Sequence, residues 1–284
     1  MSYLQYTTRD RRLRIRRGEP IEECGCTLWP ITMDHYEDFT QCRNSIAIRL
    51  SSLPVRYMMM DYLSAIFALE YDAVKENPDA PIGGVFYRLI QLFCLSMRVE
   101  LTGQTLNDGL HTTLDAKGNV GIEYLEFTQK CANGEAKTVC LTPFQFSSQI
   151  RPLIAAQNQI LLPDESENSD LVADYERKKQ LQSKGPPLNA DLDDLVSSVA
   201  YLSGVSDREI MEWTVRDFEN RRRAIERVMK HQIYTQAEMS GMVSFKNGNP
   251  YPSWCFDASD ETLGTLATSD LAKTLSGAAS PGPM

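Results

Sequence analysis

Hydrophobic positions recur at helical spacing along most of the chain, and one segment departs from that period. Residues 57–71 and 85–99 are apolar nearly all round, which predicts two helices buried against other elements. Between 105 and 141 the period changes to two, with turn residues at 115–119 and 133–134. This pattern predicts a three-stranded antiparallel meander within a predominantly α-helical α+β fold. A parallel sheet is not expected, because strands and helices do not alternate.

Several helix ends are marked by their local sequence. Thr142-Pro143-Phe144-Gln145 has the form of a capping box with proline at the first helical position. It predicts a helix that is kinked or broken near Pro152. Ser206-Asp207-Arg208-Glu209 is a second capping box, and it opens a helical region that reaches about Gly241. Acid-before-base spacing on this region predicts three ion pairs, Asp217–Arg221, Glu219–Arg223 and Glu226–Lys230.

The N-terminal segment carries an unusual density of arginine. Arg9, Arg11, Arg12, Arg14, Arg16 and Arg17 fall within nine residues. Residues 12–16 alternate between arginine and an aliphatic side chain, which predicts a strand with three guanidinium groups on one face. Such an arm can bind phosphate, or it can dock on an acidic surface of this chain or of a partner. The net charge of -9 favours acidic docking.

The domain organisation is predicted from one hinge and from the polar end of the chain. Lys184-Gly185-Pro186-Pro187 is the best candidate hinge, and a length of 284 residues allows one large domain or two modest ones. We therefore expect a basic arm (1–27), a helical core (28–184) that contains the β segment (105–141), a C-terminal helical module (185–256) and a disordered tail (257–284).

Composition and charge restrict the possible partners and the compartment. The chain is 42% hydrophobic and 24% charged, as expected for a folded protein, and its apolar runs are interrupted by charge, so no membrane span is predicted. A net charge of -9 argues against nucleic-acid or anionic-membrane binding. The seven irregularly spaced cysteines and the polar N-terminus predict free thiols in a reducing cytoplasm.

No motif in the sequence predicts catalytic chemistry. Gly83-Gly84 lacks the spacing of a phosphate-binding loop, and no G-x-S-x-G sequence occurs. Cys24-Gly25-Cys26 has no second ligand pair, since the three histidines lie far apart in the sequence. We therefore predict no catalytic residue, no metal and no cofactor. An enzyme without a recognisable motif is the least favoured alternative.

Three stretches of the chain resemble a family of phage and prophage tail-region proteins. They are CTLWPITMDHYEDFTQCRNSIAIRLSSLPVRYMMMDYLSAIF (26–67), LPDESENSDLVADYE (162–176) and IMEWTVRDFENRRRAIERVMKHQIYTQAEMSGMVSFKNGNPYPSWCFD (210–257). The chain is similar to products encoded beside the tape-measure gene of contractile-tailed phages that infect Gram-positive bacteria.

The resemblance implies a non-catalytic tail assembly chaperone in the host cytoplasm. Such a protein keeps the phage tape-measure protein soluble while tail-tube or baseplate proteins are recruited, and self-association is a further option for its partners. The alternative is a structural tail or baseplate component that is retained in the virion tail.

The C-terminal module is the expected partner surface. A small module behind a hinge cannot bury all of its apolar faces, and aromatic and methionine side chains suit an adaptable interface. The predicted partner-binding residues are Trp213, Phe218, Met239, Met242 and Trp254.

Overall fold

The computed structural model describes residues 8–76, 84–114, 120–130, 136–165, 191–241, 245 and 249–255. The chain divides into two compact units. The first unit comprises Met1–Asp191 with Asp207–Arg216, and the second comprises Leu192–Ser206 with Asp217–Met284. The expected hinge at 184–187 and the expected tail at 257–284 lie outside the described residues.

The arginine-rich segment forms a helix, α1 (Arg9–Arg16), so the predicted strand over 12–16 is wrong. Thr8 caps this helix, because its side-chain oxygen accepts a hydrogen bond from the Arg11 backbone N–H at 3.4 Å. The helix buries Ile15 while Leu13 stays partly exposed. A strand would have placed these two side chains on the same face, so the helical period is what separates them.

A short hairpin follows α1, and the sequence did not predict it. Strands β1 (Ile21–Glu23) and β2 (Cys26–Leu28) pair antiparallel, with Glu23 opposite Cys26. The two turn residues, Cys24 and Gly25, have φ values of 48° and 81°. Two successive positive φ values are typical of the type I′ turn, which matches the twist of a two-residue hairpin.

The helical part of the first unit occupies residues 33–76 and 84–109. It contains α2 (Tyr36–Cys42), α3 (Val55–Met58), α4 (Tyr62–Glu76), α5 (Val85–Met97) and α6 (Gly103–Gly109), with 3-10 turns at Met33–His35, Arg43–Ile46 and Leu50–Ser52. The two predicted buried helices correspond to α4 and α5, although residues 59–61 separate α3 from α4. Apolar side chains of α4 and α5, including Leu63, Ile66, Leu89, Ile90 and Phe93, are fully buried and form the core.

The predicted meander is present. Strands β3 (Leu110–Leu114), β4 (Val120–Lys130) and β5 (Ala136–Leu141) form an antiparallel sheet in that order. Phe127 of β4 contacts Phe93 of α5 edge to face at 5.7 Å, which packs the sheet onto the helical core. Within the described ranges every strand pair is antiparallel, and the predicted helix-dominated α+β class is confirmed.

The next helical run begins at the predicted capping box. Thr142 Oγ1 accepts a hydrogen bond from the Gln145 backbone N–H, and Gln145 Oε1 accepts one from the Thr142 backbone N–H. The run consists of α7 (Pro143–Gln145), a π-helical turn (Phe146–Ile150) and α8 (Arg151–Gln157). The irregularity expected near Pro152 is this π turn, because proline lacks an N–H and crowds the carbonyl four residues earlier.

Two helices form after Ser206, where the sequence predicted one helical region. Helix α9 (Leu192–Ser203) ends before Gly204, and α10 (Asp207–Glu212) is separated from α11 (Val215–Met239) at residues 213–214. The break coincides with pairing inside the first unit, where Met33 N–H donates to the Trp213 carbonyl at 2.9 Å and Val215 N–H donates to the Ile31 carbonyl at 2.8 Å. Backbone pairing at this point replaces helical hydrogen bonds.

Candidate functional site

Helix α11 presents an apolar face that the second unit leaves open. No residue from 219 to 239 is buried, although the helix is 25 residues long. Met229 is 46% exposed and Ile233 is 58% exposed. These two side chains are one turn apart and share a face with half-buried Ile225. We refer to Ile225, Met229 and Ile233 as the α11 stripe.

The far side of α11 is covered by the end of the described chain. Arg227 Nε donates a hydrogen bond to the Trp254 carbonyl at 3.0 Å, and His231 Nδ1 lies 2.8 Å from the Tyr251 carbonyl oxygen. The Tyr234 ring contacts the Tyr251 ring with centroids 4.8 Å apart. Arg227 and His231 lie about 200° around the helix from Met229. The protein therefore covers the face opposite the α11 stripe with its own residues.

The covering segment is shaped by local hydrogen bonds and by proline. Asn249 Oδ1 accepts a hydrogen bond from the Tyr251 backbone N–H at 2.9 Å, which closes an Asx-type turn. Pro250 and Pro252 flank Tyr251 and restrict the backbone on both sides of it. The segment from 249 to 255 is held against α11 by the hydrogen bonds of Arg227 and His231 and by the ring contact between Tyr234 and Tyr251.

Ion pairs flank the α11 stripe on one side. Glu219 Oε2 lies 2.9 Å from an Arg222 guanidinium nitrogen, and Glu226 lies 2.6 Å from Lys230 Nζ. The Glu226–Lys230 pair confirms one of the three predicted pairs. The hydrogen bond from Lys230 lowers the pKa of the Glu226 carboxyl. These pairs support the helix without apolar burial, at a few tenths of a kcal/mol each.

The structure places the five predicted partner-binding residues in different environments. Trp213 is half-buried in the first unit, and Phe218 is fully buried at the start of α11. Met239 is 82% exposed and Trp254 is 60% exposed, both in the second unit, whereas Met242 lies outside the described residues. Only Met239 and Trp254 of the described four are well exposed to a partner.

The predicted partner-binding residues did not include Met229 and Ile233, the two exposed residues of the α11 stripe. Their helical spacing could have identified them, because they continue the spacing of Phe218 and Ile225 along α11. The pattern identifies which residues share the face but not where along the helix burial ends. In the structure burial ends after Phe218.

The buried thiols do not provide a reactive nucleophile. Burial raises the pKa of Cys26 and of Cys94 to about 12, and that of Cys42 to about 11. The thiolate is the nucleophilic form, so these side chains stay protonated near neutral pH and act as small core residues.

Among the described residues, no group of three or more histidine, cysteine, aspartate or glutamate side chains could hold a metal ion. None of the described helices is long and apolar enough to cross a membrane. No protein-family model, no curated protein and no solved structure matches the chain.

Proposed function

We propose that the protein is a non-catalytic phage tail assembly chaperone that binds amphipathic helices of the tape-measure protein in the host cytoplasm. The observation that carries the proposal is the open α11 stripe. A partner helix can cover this stripe with apolar residues spaced three and four positions apart, the spacing by which amphipathic helices dock on apolar surfaces. The identity of the partner rests on the resemblance of the sequence to phage tail-region proteins.

The chemistry of the exposed residues suits a partner of repetitive sequence. Methionine has three rotatable bonds and a polarisable sulfur, so Met229 and Met239 can adapt to different apolar neighbours. Trp254 adds a large aromatic side chain, the residue type that most often dominates interface energy. A tape-measure protein presents long amphipathic helices, whose apolar stripes aggregate when they are left uncovered.

The proposal is tested by co-purification from infected or induced cells. We expect Met229→Glu with Ile233→Glu to reduce the recovered tape-measure protein at least about tenfold, because a carboxylate in the stripe has to be desolvated on binding. Tyr201→Glu with Leu202→Glu is the matched control, since these side chains of α9 are 87% and 49% exposed and the substitutions add the same charge. Undiminished recovery with the double variant, while its melting curve matches wild type, contradicts the proposal.

Mass spectrometry of purified virions separates the chaperone from a structural tail component. A chaperone is expected to be absent from mature particles or present in traces. A component of the tail or baseplate would be found in fixed proportion to the tail-tube protein, and that result would favour the alternative function.

A further inference from the structure

The first unit contains an open cleft that the proposed function does not use. Its volume is about 890 Å³, and its walls come from residues 30–38, from α5 with residues 98–101, and from α10. All of its lining residues belong to the first unit. The apolar part of the lining includes Ile31, Cys94, Leu95, Val99, Leu101 and Met211.

Carboxylates outnumber guanidinium groups around this cleft. Asp34, Asp38, Glu100 and Glu212 line it, together with Arg98 and Arg208. The Arg98 guanidinium lies 4.1 Å over the Trp29 ring, and His35 Nε2 lies 3.7 Å from Asp34 Oδ2. Asp38, Glu100 and Glu212 form no ion pair with any described residue. The cleft therefore combines an apolar lining with unneutralised negative charge.

One wall of the cleft also offers backbone groups for pairing. Residues 99–101 lie between α5 and α6, outside any regular element. The backbone N–H and C=O groups of Glu100 and Leu101 form no hydrogen bond within the described part of the chain. An extended segment lying along this wall can hydrogen-bond to them, as a strand does when it adds to an open edge.

We propose that this cleft is a second protein-binding site, which takes an extended partner segment with an arginine or lysine flanked by apolar residues. Side chains of an extended segment alternate in direction, so a basic residue can face Asp38 and Glu212 while its neighbours contact Leu95 and Met211. The proposal does not depend on the α11 stripe, which belongs to the second unit.

The test uses the full-length protein and two matched probes. Isothermal titration calorimetry measures binding of the capped peptide Val-Arg-Val-Arg-Val and of the same peptide with glutamate in place of arginine. We expect saturable binding of the arginine peptide only, with a Kd that rises at least about fivefold in Asp38→Asn with Glu212→Gln. Glu22→Gln with Glu123→Gln is the control, since it changes the net charge equally at two exposed sites away from the cleft.

Three outcomes overturn the proposal. They are no saturable binding of the arginine peptide below about 1 mM, an unchanged Kd in the folded double variant, and full competition by arginine amide, which would identify a site for small cations only. If Asp38→Asn with Glu212→Gln lowers the melting temperature, Glu100→Gln replaces it, because Glu100 is exposed and forms no described hydrogen bond. An unchanged Kd in that variant overturns the proposal equally.

Discussion

Replacing Gln129 with methionine is expected to destabilise the first unit strongly. Gln129 is a buried residue of β4 that joins the sheet to the N-terminal hairpin. Its Oε1 accepts a hydrogen bond from Thr27 N–H at 2.9 Å, and its Nε2 donates to the carbonyls of Thr27 and Met97 at 2.7 and 2.8 Å. Thr27 lies opposite Glu22 in the hairpin. The Gln129 amide thus pairs Thr27 backbone groups in the manner of a neighbouring strand.

The size of the effect follows from the groups that lose a partner. Methionine has nearly the volume of glutamine, so Gln129→Met keeps the packing and removes three hydrogen bonds. One buried N–H and one or two carbonyls are then left unpaired, and each unsatisfied group costs about 1–3 kcal/mol. Relaxation of the hairpin recovers part of this cost. We expect a loss of about 3 kcal/mol in the free energy of unfolding.

Urea unfolding followed by circular dichroism measures this loss, with Thr128→Val as the control on an exposed position of the same strand. The midpoint should fall in Gln129→Met, with an unchanged dependence on urea concentration. A loss below about 1 kcal/mol would refute the reasoning, since it would mean that water replaces the amide at no cost.

Three further predictions concern the first unit. Arg98 has a φ of 57°, a conformation that glycine adopts without strain. In thermal unfolding Arg98→Gly should be nearly as stable as wild type, because relief of about 1 kcal/mol of backbone strain offsets the lost stacking on Trp29. Arg98→Ala should be clearly less stable. Gly84→Ala should lower the melting temperature, because its new Cβ would overlap the Glu70 carboxylate that accepts the Phe86 backbone N–H. Burial raises the pKa of Cys94 from 9.0 to about 12. The contribution of the protonated thiol to stability is therefore present below pH 9.0 and lost as the pH rises through about 12. Urea unfolding of wild type and of Cys94→Ala across this range measures the contribution, and an equal pH dependence of the two proteins would contradict the prediction.

Sequence patterns predicted secondary structure correctly where two local cues indicated the same element. The capping box at Thr142 comes with proline at the first helical position, and the change of period between 105 and 141 comes with turn residues, so each of these predictions rested on two independent cues. Residues 12–16 offered one cue only, an alternation five residues long that also fits one and a half turns of helix. The hydrogen bond that caps the helix at Thr8 favours helix over strand, and Thr8 lies before the alternating residues, outside the pattern that predicted the strand.

The hairpin and the cleft could not be predicted, for different physical reasons. The turn at Cys24-Gly25 has cysteine where asparagine, aspartate or glycine is the usual signal for positive φ, and its strands are only three residues long. The cleft brings α10 against residues that precede it by more than 100 positions. Such contacts depend on tertiary packing between distant parts of the chain, which no local pattern encodes.

The exposed area of the α11 stripe determines what kind of binding it can support. Covering the exposed parts of Met229 and Ile233 removes roughly 200 Å² of this protein's surface from water, which contributes about 5 kcal/mol from this side of the contact. Association costs about 4–15 kcal/mol in lost translational and rotational freedom, so one stripe on one helix binds weakly. A partner that repeats its apolar stripe along its length can recruit several copies, and each of them can leave quickly. Binding by several copies, each of which dissociates quickly, suits the proposed assembly chaperone, because it has to cover the tape-measure helices and then be displaced by the tail-tube protein. A weak single contact of this kind fits the chaperone function that we propose better than it fits a component fixed in the virion.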